Sequence, residues 1–315
     1  MLLTLCIANA AHAQQKIYRF GYLFAANSQF GVAGQAFADE MAKRTGGRIR
    51  IEQYPNAALG GEVEMLDGLK LGTVDFAIIS GAALGNVLPE AGVFSIPFLF
   101  RDVDHAHAVL DSPLGQSYLA KLKDRGMIGL AWGENGMRQL TNAKHPVSTP
   151  SDLKGLKLRL PQSEVMVAGF KALGADTAAI GFPQLYGALQ SGQVDGQENP
   201  IATILSAKFS SVQKYLTLSS HVYDPAAIMV SVESWKEFSE SDRAALMAAA
   251  KAGAEASRKF AAEAQKNGVA ELKNQGMEVV EQIDRAAFVA AMQSVRPDFE
   301  KKFGADVLTK IDAIK

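Results

Sequence analysis

The sequence predicts an α/β protein made of two units with a cleft between them. Short strands alternate with helices in two separate stretches of the chain, an order typical of parallel sheets covered by helices. With 315 residues, 48% of them hydrophobic, the chain is long enough to bury two cores. We find no low-complexity linker, so the connections should be short and packed.

The first unit is predicted from apolar periodicity and from glycines that end its helices. Residues 17–22, 48–54 and 74–79 have the pattern of strands, and residues 31–43 and 61–71 that of helices. The last of these strands is a short apolar run typical of a strand buried in a parallel sheet.

The second unit repeats this order, and a long helix follows it. Strands are predicted at 127–132 and 156–160, and helices at 163–173, 183–190 and 239–274. Ser239 and Asp242 resemble a capping box at the start of the last helix. About 35 residues would span about 50 Å, longer than one small domain, so we expect this helix to kink near Gly268 or to bridge both units.

Charge excludes several classes of partner. The chain has 32 basic and 33 acidic side chains and a formal net charge of −1, so no positive field exists for nucleic acid or an anionic membrane. No stretch after the N-terminal segment approaches the roughly 18 apolar residues of a membrane span.

The N-terminal segment predicts export. Residues 1–13 are an apolar run that ends in Ala11-His12-Ala13, the small-x-small pattern of a signal peptidase site, with cleavage expected after Ala13. The single cysteine, Cys6, belongs to this segment. The mature chain would then lack cysteine, which excludes thiol catalysis, disulfides and cysteine metal sites.

Neither a catalytic centre nor a metal site is predicted. His105 and His107 are two residues apart, so on a helix they do not share a face. Motifs of serine hydrolases, dinucleotide-binding folds and P-loops are missing. Asp195 and Glu198 have no nucleophile or histidine near them in sequence, and they and Asn199 are interpreted as a turn.

Arg159 is the candidate binding residue. In DLKGLKLRLP, residues 152–161, leucines alternate with Lys157 and Arg159 along a short strand that Pro161 ends. A guanidinium at the carboxyl end of a strand suits a carboxylate or phosphate. From these residues alone, a solvated arginine is the favoured interpretation, and a solvated loop is equally the default for Arg138 in GENGMRQLTN.

Over nearly its whole mature length, the chain resembles the DctP-like substrate-binding proteins of tripartite ATP-independent periplasmic (TRAP) transporters. The segments that carry the resemblance are YPNAALGGEVEML (54–66), LGTVDFAI (71–78), FSIPFLFRD (94–102), GMRQLTN (136–142), DLKGLKLRLP (152–161) and LYGALQSGQVDGQENP (185–200). The last two are the most specific in their order and spacing.

The resemblance implies a two-domain clamp, with hinge strands and a long bridging helix, that closes on an organic acid. Domain I is expected at residues 14–136 plus 225–264, and domain II at 137–224 plus 265–315. No cofactor is implied, and the chain is expected to be a monomer and not an enzyme.

The resemblance also implies the ligand contacts. Arg159 would fork onto the ligand carboxylate, with Arg138 and Asn199 beside it. Phe182 matches the family's aromatic residue, and Glu62 matches the polar residue that would bind ligand hydroxyls. Ser80 is added with Gly81 and Asn86 because these residues lie on the loop that follows a strand.

Departures from the family's pattern bear on which acid binds. Sialic-acid members carry polar or charged residues where this chain has Leu23, Ser80 and Ala83, so sialic acid is not expected. A smaller or less hydroxylated ligand fits better, and hydroxy, keto, sugar and aromatic acids all stay open.

The implied setting is the periplasm of a Gram-negative bacterium. The clamp would deliver its acid to a TRAP permease of a small and a large membrane subunit, driven by an ion gradient. Two alternatives stay open: the same clamp could act as the ligand sensor of a signalling receptor, or the chain could be a periplasmic enzyme acting on the acid.

Overall fold

The computed structural model describes residues 15–315, so the predicted signal segment, residues 1–13, lies outside the described residues. Strands run over β1 (Lys16–Gly21), β2 (Ile49–Tyr54), β3 (Phe76–Ser80), β4 (Met127–Asn142), β5 (Lys157–Leu160), β6 (Asp176–Ala179), β7 (Gly196–Pro200), β8 (Tyr215–Ser231) and β9 (Glu278–Val280). Helices run over α1 (Gln29–Thr45), α2 (Glu62–Leu71), α3 (Gly81–Leu84), α4 (Val103–Asp111), α5 (Pro113–Lys121), α6 (Glu164–Ala172), α7 (Phe182–Gln190), α8 (Ile201–Ser206), α9 (Val232–Lys236), α10 (Glu240–Asn274), α11 (Arg285–Met292), α12 (Arg296–Phe303) and α13 (Ala305–Ala313).

Within residues 15–315, nine strands form one sheet in the order β2-β1-β3-β8-β4-β7-β5-β6, with β9 beside β8. Strand β1 pairs in parallel with β2 and β3, and β5 pairs in parallel with β6 and β7. The sheet therefore has two flanks, each of them a βαβαβ unit. The first flank consists of β1, α1, β2, α2 and β3, and the second consists of the corresponding elements β5, α6, β6, α7 and β7. This arrangement confirms the predicted α/β class.

Two long antiparallel strands join the flanks. Strand β8 pairs with β3 over Ala226–Val230 and with β9 over Tyr215–Thr217. Its C-terminal part therefore lies in the first flank and its N-terminal part beside the second. Strand β4 pairs with β8 along most of its length, and its last residues, from Arg138 on, also pair with β7. The β4–β8 register shifts at three irregularities, and the one between Glu134 and Gly136 lies where β4 passes from one flank to the other.

Helix α10 bridges the two flanks without interruption over 35 residues. The side chain of Ser239 caps it by accepting a hydrogen bond from the Asp242 backbone N–H. The helix contacts α1 on one flank and α8 on the other. Glycines permit both approaches, because a Cβ on Gly253 would lie 2.9 Å from the Ala33 carbonyl oxygen and one on Gly268 would lie 2.5 Å from Ile201 Cγ2.

Two local interpretations of the sequence are wrong. The strand predicted to end at residue 132 continues to Asn142 as β4, with Gly133 and Gly136 inside the strand near its irregularities. The segment around Glu198 and Asn199 is not a turn either, since it forms the fully buried strand β7.

Within residues 15–315, no helix combines the length and the apolar character that crossing a membrane requires.

Candidate functional site

A cavity of about 240 Å³ lies between the two flanks, where several strands end. The first flank contributes residues that follow β1 and β3 and the start of α2, and the second contributes those that follow β5 and β6. The residues that line the cavity are Leu23, Gly61, Glu62, Glu64, Ala83, Arg159, Pro161, Gln162, Gly181, Phe182, Pro183 and Gln184. Open α/β sheets bind ligands at this edge of the strands.

The flanks also contact each other directly beside the cavity. The rings of Phe24 and Phe182 meet edge to face, with their centroids 4.8 Å apart. The Asn86 side-chain amide donates to the Gln162 carbonyl oxygen at 2.9 Å. These contacts enclose the space between Glu62 on one flank and Arg159 on the other.

Arg159 is a buried cation without an acidic partner in the part of the chain that the structure describes. Its side chain is on the cavity wall, and the residue is only 3% exposed. Nε donates to the Ile180 carbonyl oxygen at 2.8 Å, and within residues 15–315 the guanidinium makes no ion pair. Burial lowers the pKa of Arg159 to about 10, which the more distant charges of Glu198 and Glu62 only partly offset.

Glu62 is a fixed carboxylate at the N-terminus of α2. One of its oxygens accepts a hydrogen bond from the Ser80 backbone N–H at 2.6 Å, and the other accepts from the Ser80 hydroxyl at 2.9 Å. Burial raises the pKa of Glu62 to about 7, although the bonds from Ser80 act in the opposite direction. Ser80 itself ends β3 and caps α3, so the position of this carboxylate is tied to the sheet.

Arg138 has surroundings unlike those of Arg159. This guanidinium is 2% exposed and forms ion pairs with Glu198 and with Asp224, the latter at 2.8 Å. Burial alone would lower its pKa, but the two carboxylates raise the pKa well above its usual value. The default of a solvated loop arginine is therefore wrong, because Arg138 is a buried strand residue whose charge is neutralised.

The network around Arg138 joins β4, β7 and β8. The His221 imidazole bonds the Glu198 carboxylate at 3.0 Å, and Asn135 donates to Asp224 at 2.8 Å. Burial would raise the pKa of Glu198, but Arg138 and His221 hold it below its usual range. Asn199 accepts from Arg138 at 3.3 Å and donates to Gln197. The network lies where the two flanks meet.

The predicted site residues thus fall into two groups. The structure brings Arg159, Phe182 and Glu62 together on the cavity wall, with Ser80 directly behind Glu62. Arg138 and Asn199 belong to the buried network, and neither is among the described residues that line the cavity. Their role as ligand contacts stays a prediction.

Sequence reasoning missed other wall residues. Gln162 and Gln184 each follow a proline, and Glu64 is on the first turn of α2. The spacing of Gln184 and Glu64 does not mark them as functional. Gln162 follows Arg159 by three residues, and that position was the one available signal.

The two histidines considered as a metal pair diverge in the structure. His105 accepts from the Arg101 backbone N–H through Nδ1 and bonds the Ile311 carbonyl through Nε2. His107 bonds Glu134 at 2.7 Å. Both rings connect α4 to other parts of the fold.

An α/β fold with two flanks around a cleft that contains a buried cation is typical of bacterial solute-binding proteins that act as clamps. The family model described as bacterial extracellular solute-binding protein, family 7 (DctP), matches residues 20–302. The chain belongs to this family, the solute-binding proteins of TRAP transporters.

Solved structures support the same assignment. A TRAP solute-binding protein from Polaromonas, bound to D-erythronate, has a TM-score of 0.94 and 44% identity over 96% of this chain and 99% of its own. One from Bordetella, whose ligand density was interpreted as pantoate, has a TM-score of 0.93 and 44% identity over 96% and 100%. A solute-binding protein of Verminephrobacter eiseniae is 43% identical over 96% of this chain and 90% of the relative.

Proposed function

We propose that this chain captures a small organic acid in the cavity beside Arg159 and delivers it to a TRAP-type permease. The observation that carries this proposal is the difference between the two buried arginines. Arg138 is neutralised by two carboxylates, whereas Arg159 has no acidic partner among the described residues and lines a cavity. A buried, unpaired guanidinium is costly unless an anion joins it, and its planar donors fit a carboxylate.

The size and lining of the cavity favour a short acid. Its volume of about 240 Å³ is below the roughly 300–1,000 Å³ of sites for drug-sized ligands. The Polaromonas relative is bound to D-erythronate and the Bordetella density was interpreted as pantoate, both short hydroxylated monocarboxylates. We infer a ligand of this kind for this chain.

Capture would proceed by closure of two domains. We assign domain I to residues 14–136 plus 225–264 and domain II to residues 137–224 plus 265–315, and Arg159 and Glu62 then face each other across the cleft. The ligand would join the domains by contacting both residues. We place the protein in the periplasm of a Gram-negative bacterium as a monomer without enzymatic activity, with a small and a large permease subunit as its partners.

A thermal-shift screen of organic acids tests the proposal. At 100 times Kd a ligand adds about 2.7 kcal/mol to stability, enough for a clear rise in Tm. Arg159→Ala should abolish the shift for every carboxylate, and Arg159→Lys should weaken it because an ammonium cannot reproduce the fork. An undiminished shift in Arg159→Ala would contradict the assignment of the carboxylate anchor. Recovery of the ligand unchanged after incubation is the expected result for a protein that binds without catalysis.

A further inference from the structure

The wall of the cavity carries more negative than positive charge. Among the described residues that line it, Arg159 is the one cation, whereas Glu62 and Glu64 are both acidic. A carboxylate bound to Arg159 compensates that cation. A second carboxylate at the other end of the same ligand would meet Glu62 with no further lining cation to receive it.

The two glutamates differ in how strongly a ligand would feel them. Glu62 is partly buried and fixed by two bonds from Ser80, whereas the Glu64 side chain is exposed. Water and salt screen an exposed charge, but they screen a buried one much less. The charge that a ligand meets inside the cavity is therefore mainly that of Glu62.

Other charges near Glu62 come from the buried network. Asp224 on β8 and Arg138 on β4 act on it electrostatically in opposite directions. These two groups carry opposite charges and are ion-paired with each other at 2.8 Å, so their effects at Glu62 partly cancel. Arg159 is the remaining cation that faces Glu62 across the cavity, and the first carboxylate of the ligand would bind to it.

Glu62 also has unused hydrogen-bonding capacity. An ionised carboxylate is an acceptor with about four lone-pair sites, of which Ser80 occupies two. The free sites suit hydroxyl donors and repel carboxylate oxygens. We propose that Glu62 makes the site selective for hydroxylated monocarboxylates and against dicarboxylates of the same carbon number. This inference rests on the proposed function, since it requires that Arg159 hold the first carboxylate.

Calorimetric titration with ligands of matched length tests the inference. D-erythronate, succinate and butyrate each have four carbons and differ in hydroxyls and second charge, and D-ribonate with glutarate gives a five-carbon pair. At pH 8 the wild-type protein should bind the hydroxy acid of at least one pair about 100-fold more tightly than the dicarboxylate, and erythronate more tightly than butyrate. Glu62→Gln should reduce the ratio of hydroxy acid to dicarboxylate at least tenfold, mainly because the dicarboxylate binds better.

Two further variants separate charge from shape. Glu62→Asp keeps the charge, so it should retain the rejection of dicarboxylates even where the hydroxy acid binds more weakly. Glu64→Gln removes an exposed charge from the same helix and should change the ratio less than threefold.

The inference would be overturned if wild-type protein bound the dicarboxylate as tightly as the hydroxy acid in both pairs, if Glu62→Gln left the ratio unchanged, or if Glu64→Gln altered it as much as Glu62→Gln. In each of these cases Arg159→Ala would still abolish binding, so the proposed function would stand. If no carboxylate bound the wild-type protein, both the inference and the proposed function would fail.

Discussion

Arg159 and Arg138 show that burial alone does not define the role of an arginine. Both are almost inaccessible to solvent, at 3% and 2% exposure. Arg138 forms ion pairs with both Glu198 and Asp224, so it compensates the charges of two buried carboxylates. No acidic group of residues 15–315 pairs with Arg159. Replacing each by the same residue should therefore change the free energy of unfolding by different amounts.

Arg159→Met should abolish carboxylate binding yet change the free energy of unfolding by no more than about 1 kcal/mol, because no protein charge loses its partner. Arg138→Met should cost about 3–5 kcal/mol, since Glu198 and Asp224 would be left buried and uncompensated. Denaturant unfolding of the two ligand-free variants measures this difference. Equal destabilisation by both substitutions would contradict the contrast drawn between the two arginines.

Glu62 should make stability depend on pH. Its pKa is raised from 4.5 to about 7, so the folded protein holds this proton more tightly than the unfolded chain does. The resulting stabilisation is complete below about pH 4.5 and is lost as pH rises towards 7. Glu62→Gln lacks this loss, so its Tm relative to wild type should rise between pH 4.5 and 7 and then level off.

Differential scanning calorimetry of ligand-free protein across this range is the measurement. Glu64→Gln, which removes an exposed glutamate from the same helix, is measured alongside as the matched control. A flat difference between Glu62→Gln and wild type would show that the Glu62 carboxylate is not held in the environment described.

At the scale of elements, the glycines of α10 determine how closely this helix packs. A Cβ on Gly253 would approach the Ala33 carbonyl oxygen to 2.9 Å, and backbone there cannot move aside easily. Gly253→Ala should lower stability by about 1–3 kcal/mol despite the better helix propensity of alanine. Gly187, inside α7, has nothing within 4 Å of such a Cβ, so Gly187→Ala should stabilise by about 0.5–1 kcal/mol.

Thermal unfolding of the two alanine variants under identical conditions compares them directly. Opposite changes in Tm are expected. A rise in Tm for Gly253→Ala would mean that α1 and α10 are not packed at the distance seen here.

Regular elements could be predicted from the sequence, and the crossing strands could not. Helix α10, most helices of the two flanks and the strands β1, β2, β3 and β5 follow from periodicity and glycine stops, whereas β6 was not predicted and β7 was interpreted as a turn. Strand β8 was not predicted because Asp224 and Pro225 interrupt its apolar pattern. Both are explained only by distant partners, since Asp224 pairs with Arg138 and Pro225 lies opposite Glu134 beside a register shift.

The same limit applies to the candidate site. Arg159 stood out because a short alternating strand and a proline placed it at a strand end. Ser80 behind Glu62 and the ion pairs of Arg138 depend on contacts between residues that are 18, 60 and 86 positions apart. Local sequence patterns carry no information about such pairs. The resemblance to the family supplied the site residues, but not which of them share a wall.

For the whole molecule, ligand binding should favour the compact arrangement. Glu62 and Arg159 line the cavity from opposite flanks, so a ligand that contacts both should bind more tightly to the state in which the flanks are together. Shifting an equilibrium from 1:99 to 99:1 requires about 5.5 kcal/mol of differential affinity. Small-angle scattering should show a smaller radius of gyration with a saturating acid, and Arg159→Ala should show no change. An unchanged radius with a tightly bound acid would contradict closure.

The path of β8 has a consequence for biosynthesis. Strand β3 pairs with β8 through Ile78 and Ile228, so the first flank lacks its neighbouring strand until about 150 further residues have been made. At roughly 5–20 residues per second, that interval is about 8–30 s. During this time the edge of β3 has no native partner. The nascent chain therefore cannot finish the first flank in the order of synthesis, and a truncation after the first βαβαβ unit should yield an aggregation-prone fragment and not an independent domain.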